Sequence, residues 1–242
     1  MSHPIAAPVL SPAAGVTRWH ALYRIGAYCA LITVVVFLFQ VAAYFLWPPP
    51  ETVAGHYALL QSRPVVGLVS LDLLIIVDEL LAIPLCLALY MSLRRVNESV
   101  VLIATALTGA SLLCFLIGTP AFNMLYLSHK FAAATNAVER DGLLAAGQAV
   151  LSFWQGTPFQ VGYVVGSIDM VLIGWVMMRS DAFGKVTGCL GIVSSVVGLG
   201  VYIPKIGVLI SIFSVFGMQA WYVMIALKLL RIPATRESVP KS

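Results

Sequence analysis

The chain has 242 residues, 60% of them hydrophobic and only 10% Asp, Glu, Lys or Arg, where a soluble domain carries about 45–50% apolar and roughly 25% charged residues. Fourteen Lys or Arg stand against ten Asp or Glu, a formal charge of +4, and mean hydropathy is +0.97. So few charges cannot cover a water-facing surface, which excludes a soluble fold and implies a polytopic membrane protein surrounded by lipid.

Residues 1–17 hold Pro4, Pro8 and Pro12 without a Lys or Arg. They are expected to be a disordered cytoplasmic lead-in rather than the basic start of a signal peptide. The domain that follows, 18–232, is expected to be an all-α integral membrane bundle of six transmembrane helices, with 233–242 as a cytoplasmic tail. Each crossing needs about 20 mostly apolar residues. Six stretches qualify: Ala21–Trp47, Val65–Leu93, Val100–Leu127, Val150–Met178, Val186–Ile203 and Ile206–Leu230. Read as one helix, Val186–Leu230 would run about 67 Å, more than twice a hydrocarbon core of roughly 30 Å. It must fold back, and Pro204 and Gly207 place the turn between the last two spans.

The loops between spans carry their own signals. Prolines at both ends of 48–64 restrict that loop to a short surface helix between Thr52 and Gln61. Asn136 and Glu139 have the spacing of a helix start, with an amphipathic helix leading from them into the fourth span. Pro84, Pro120 and Gly156-Thr157-Pro158 are expected kinks. Gly162 and Gly166, Thr105 and Gly109, and Thr187, Gly191 and Ser195 recur at four-residue spacing, a pattern that lets helix backbones approach, within one bundle or across a homodimer.

Lys and Arg fix the orientation, because short loops rich in them stay in the cytoplasm. Arg18, Arg24, Arg94, Arg95, Arg179, Lys185, Lys228, Arg231, Arg236 and Lys241 fall on one side; Arg63, Lys130, Arg140 and Lys205 fall on the other. Both termini are therefore expected inside. Trp19, Tyr90, Trp175 and Tyr222 near inner ends, and Trp47, Tyr126, Trp154 and Tyr202 near outer ends, read as interfacial anchors. No basic stripe with interleaved aromatics points to nucleic acid.

Four acids inside the spans are the informative chemistry: Asp72, Asp78 and Glu79 in the second and Asp169 in the fourth, with no Lys or Arg at comparable depth. Each ionised acid at a helix centre costs about 2.5–3.5 kcal/mol, so these groups must be neutral, hydrated or bound to a cation. Seven helical residues carry Asp72 round to within about 20° of Glu79 and roughly 10 Å along the axis, while Asp78 points about 100° away. The expected arrangement is a ladder of carboxylates across the bilayer. Gln40, Gln160 and Gln219 fall at matching levels as polar company.

Three readings of the ladder stand open. The acids serve only as interhelical hydrogen bonds in a structural subunit of a larger complex; they bind a small lipophilic or cationic molecule, or couple its transport to protons or cations; or one donates a proton in an intramembrane enzyme. No metal is expected. Cys29, Cys86, Cys114 and Cys189 lie on four different spans with no ligand spacing, and His56, His129 and Glu51 on the outer side have none either. No cofactor is expected, since the chain has no P-loop, H-E-x-x-H, G-x-S-x-G or dinucleotide fingerprint.

The runs Thr119–Ser128, Phe131–Thr135, Leu144–Gln148, Gln155–Val161 and Tyr163–Ile168 resemble a bacterial membrane family catalogued as domain of unknown function 4386. The likeness is densest from the third span to the fifth. At Asn123, where relatives often carry an acid, this chain departs from the pattern. The resemblance implies a multi-pass protein of the bacterial inner membrane with no known cofactor, and it supplies no catalytic residue.

Overall fold

A computed structural model describes residues 19–232, so the expectations for 1–17 and for the 233–242 tail lie outside the described residues. Among those described there is no strand. Helix α1 is His20–Leu46, α2 Val53–Ser62, α3 Pro64–Val69, α4 Leu73–Gly118, α5 Ala121–Ala133, α6 Ala137–Gln155, α7 Thr157–Met177, α8 Gly184–Gly198 and α9 Gly207–Leu230; a short 3-10 turn, Leu199–Tyr202, follows α8. By length and composition, five helical segments among these residues, some of them interrupted, can cross a membrane: His20–Leu46, Leu73–Ala133, Ala137–Met177, Gly184–Tyr202 and Leu209–Leu230.

The 46-residue α4 would be about 69 Å long if straight. It is not straight. Asn97 has φ −158° and ψ 92°, and its side-chain oxygen accepts the Val100 amide at 3.2 Å, so one helix stops there and another is capped. Glu79, Cys86 and Leu89 before the break line the same cavity as Thr108, Ser111 and Leu112 after it. The two arms therefore lie side by side. Arg94 and Arg95 sit at the reversal, where charged heads can leave the apolar layer.

Around these arms the helices close a ring: α1 packs on α4, α4 on α7, α7 on α8, α8 on α9, and α9 back on α1. Small residues allow the closure. A Cβ at Gly174 of α7 would stand 2.8 Å from the Gly188 carbonyl of α8, and one at Gly26 of α1 would stand 2.6 Å from the Ala88 side chain of α4. Near the end that carries the described chain ends, Leu93, Val101, Val176, Met177, Ile225 and Leu229 form a fully buried apolar plug. Outward-facing Val35, Phe45, Ile117, Phe213 and Phe216 are exposed, as lipid contact requires.

Helix ends depart from three of the expected boundaries. The second span does not begin at Val65: Pro64–Val69 is a separate short helix, and α4 starts at Leu73 after a bend through Asp72. The third does not run to Leu127, because Thr119 is extended and Pro120 opens α5. The fourth does not include Val150; α6 ends at Gln155, and Gly156 (ψ −130°) breaks the chain before α7. The first span, the turn at Pro204-Lys205 and the 53–62 surface helix stand as expected, with Thr52 accepting the Gly55 amide at 3.1 Å. Asn136 likewise accepts the Glu139 amide at 2.8 Å.

The loop helix and the segments that depart from the expected spans form a cap at the end opposite the chain ends. Val53, Tyr57, Leu60, Leu71, Ala121 and Met124 make its core. The Tyr57 hydroxyl donates to the Leu143 carbonyl at 2.8 Å, Gln61 donates to the Ser128 carbonyl at 2.9 Å, and the Tyr57 and Phe131 rings meet at 5.3 Å. His56, expected near the surface, is only 7% exposed, and its Nδ1 has no partner. Burial holds its imidazole below the ordinary 6.5, opposed by a hydrogen bond to the Pro50 backbone. The unfolded segment therefore takes up the proton first. The contribution of His56 to cap stability is complete above 6.5 and is lost as pH falls through the lower folded value. Amide exchange over 53–62, corrected for intrinsic rate, is expected to quicken as pH falls below 6.5, and His56→Phe is expected to flatten that dependence.

Candidate functional site

The expected ladder comes apart into three places. Asp72 is not on a helix face at all: it precedes α4 with φ 63° and ψ 28°, the left-handed region that Asp tolerates better than most side chains. There its carboxyl accepts from the Tyr44 hydroxyl of α1 and from the Trp154 indole of α6, the latter at 3.0 Å. It ties the cap to the ring. Gln40, expected beside Asp72, reaches the same corner but donates to the Val69 carbonyl at 3.3 Å, and its own oxygen is buried without a partner.

Asp78 faces Thr33 of α1, and one of its carboxyl oxygens is buried without a hydrogen bond. It looks between α1 and α4. One residue on, Glu79 turns into the ring instead and shares a cavity of about 160 Å³ with Asp169 of α7. Asp169 is 4% exposed, with Thr108 and the Met170 amide facing its carboxyl. The charged groups that Glu79 faces are Asp78 and Asp169. Among the described residues no Lys or Arg lines the cavity.

Tyr222 closes the site from α9, within electrostatic reach of Glu79, Asp78 and Asp169. Its assignment as an interfacial anchor is corrected: it is an interior hydroxyl facing three acids. Trp154, also expected as an anchor, is 6% exposed and spends its indole N–H on Asp72. Gln219 is half-buried one turn before Tyr222, with its side-chain oxygen unpartnered. Gln160 does not belong to the site. It is exposed and donates to the Gln155 carbonyl at 3.2 Å, bridging the break at Gly156.

A second cavity of about 220 Å³ continues from the first toward the cap, the two sharing Ser111, Gly166, Met170 and Tyr222 as walls. Ser167, Ser194, Ser195 and Ser214 also line it. The hydroxyls of Ser111 and Ser195 donate across helices to the Gly162 and Ser167 carbonyls, both at 2.8 Å, which leaves their oxygens free to accept. Aromatic contacts run along this side from Trp154 through Phe159 and Tyr163 to Tyr202. Together the cavities make a largely apolar space, dotted with hydroxyls, from the cap side down to the two acids, with the apolar plug beneath. The sequence signal for its α9 wall is the stripe Ser214, Met218, Tyr222, one residue per turn.

No family model matches the chain, and no curated protein or solved structure is significantly similar to it.

At the cap joint, Asp72→Ala removes the acceptor of two hydrogen bonds and puts a β-carbon without compensation at positive φ, while Asp72→Gly loses only the bonds. Asp72→Ala is expected to lower the free energy of unfolding in detergent by about 2–4 kcal/mol, and Asp72→Gly to lower it by about 1 kcal/mol less. In a double-mutant cycle, Tyr44→Phe should add little once Asp72 is Ala.

Proposed function

We propose that this chain is a bacterial inner-membrane protein of six crossings, with both termini cytoplasmic, that binds a small cationic or lipophilic molecule at Glu79 and Asp169 and couples its movement to protons or cations. Two apolar arms meeting at Asn97 support counting six, since each is about 30–36 Å long at the helical rise. The ten-to-four division of Lys and Arg supports the orientation. Resemblance to an unassigned bacterial membrane family supports the setting.

One observation carries the functional reading: two carboxyl groups from opposite helices share a cavity with hydroxyls and no basic side chain. Asp169 does have Thr108 and the Met170 amide as partners, but it and Glu79 also border open space, which interhelical glue alone does not require. A protonated pair is neutral and tolerable in the ring, and an ionised group there calls for a cation. Proton and cation therefore compete for the same oxygens, which is the physical basis of exchange. The serine-lined extension supports approach from the cap side, and the plug supports closure on the other.

The test uses the full chain in proteoliposomes and tetraphenylphosphonium as the lipophilic cation. An imposed pH gradient is expected to drive uptake, with Glu79→Gln and Asp169→Asn each lowering the rate at least about tenfold, the loss of one charge interaction worth about 1.4 kcal/mol. Asp78→Asn, outside the cavity, is expected to do less. Uptake that is absent, or equal in wild type and Glu79→Gln, would overturn the reading for this cation class.

A further inference from the structure

At the end of the bundle that carries the described chain ends lies a separate hollow of about 160 Å³, between the start of α1, the reversal of α4 and the turn before α8. Arg94 and Arg95 both line it, with Tyr23 of α1, Trp19 just before that helix and Ser92 beside them. Among the described residues no Asp or Glu does; Asp181, next to the lining residue Ala182, is exposed. Tyr23 is 6% exposed and within electrostatic reach of both guanidinium groups, so the floor of the hollow is fixed by packing. The Ser92 hydroxyl donates to the Leu89 carbonyl at 2.9 Å and can swing to a better acceptor.

Arginines that only set topology splay into water and headgroups. Here adjacent arginines flank one concavity at the depth where aromatic rings with polar tips meet the membrane surface. Two like charges around a hollow repel one another until an anion enters, and the guanidinium fork matches phosphate oxygens in pairs. Arg179 shows the contrast: its guanidinium lies 3.5 Å over the Trp175 ring and lines no part of the hollow.

We propose that this hollow is a binding site for a phosphate-bearing anion, held by Arg94 and Arg95 over the Tyr23 floor. It is independent of the acid-lined cavity and of the function proposed for that cavity. The phosphate belongs to the headgroup of an anionic lipid or to a small soluble phosphate ester, and the chemistry is the same.

The experiment takes the full chain in neutral detergent and measures retained lipid by native mass spectrometry with phosphatidylglycerol or phosphatidylcholine added, and thermal protection by glycerol 3-phosphate without lipid. Phosphatidylglycerol is expected to be retained over phosphatidylcholine, with Arg94→Gln/Arg95→Gln lowering retention about tenfold or more and Arg179→Gln leaving it unchanged. Protection by glycerol 3-phosphate that the double variant loses, without selective lipid retention, assigns the site to soluble esters. Should the double variant fail to insert, Arg95→Gln alone, at an exposed position, gives the same readouts with partial loss. Neither probe binding, or binding equal in wild type and variant, overturns the proposal.

Discussion

In hydrocarbon a carboxyl group has no water to turn to, and this single constraint organises the bundle. Glu79 and Asp169 can be accommodated only if the helices bearing them face one another across a shared cavity, so α4 and α7 must pack together and α9 must bring Tyr222 across from them. Asp78 obeys the same rule in another direction, toward Thr33 on α1. Each acid thus selects a neighbour for α4. The ring order follows from satisfying side chains as much as from packing apolar ones.

The cap is held to this ring differently. Asp72 occupies a left-handed conformation that costs an L-residue about 1–2 kcal/mol, offset by two hydrogen bonds from elements far away in sequence. The bend there lets α3 leave the axis of α4 and lie under the cap core with Leu71. A straight continuation of α4 through Val65 would leave Tyr57 and Leu60 without the neighbours that bury them.

Much of this was legible in the sequence, and the misreadings share a cause. Hydropathy registers apolar residues without saying whether lipid or protein covers them. Val65, Val66, Leu68 and Val69 adjoin the second span and look continuous with it, yet they form a separate short helix whose Leu68 packs on the cap core; Ala121 and Met124 extend the third span on paper and are fully buried in the cap. Local punctuation was more reliable where it was strong, as at Thr52, Asn136 and Pro204. Pro64 and Pro120 were present as signals, but the apolar runs around them outweighed them. For the site, the divergence of Asp78 from Glu79 follows from helical geometry alone. The Tyr44 and Trp154 bonds to Asp72 do not, since they join residues 28 and 82 positions apart. Gln160 has the right depth and the wrong azimuth, which depth arithmetic does not register.

The glycine contact between α7 and α8 bears on how such a ring can work. Where Gly174 and Gly188 meet, each lies against the other's carbonyl, and the Ile192 and Met178 side chains close in beside them, so the two helices have little room to slide. Those two helices behave as one rigid leaf carrying Asp169. Any breathing of the cavity must then come from the opposite wall, α1 with α9 and the first arm of α4, swinging Glu79 and Tyr222 against a stationary partner. The protein would be a door with one fixed jamb rather than an iris.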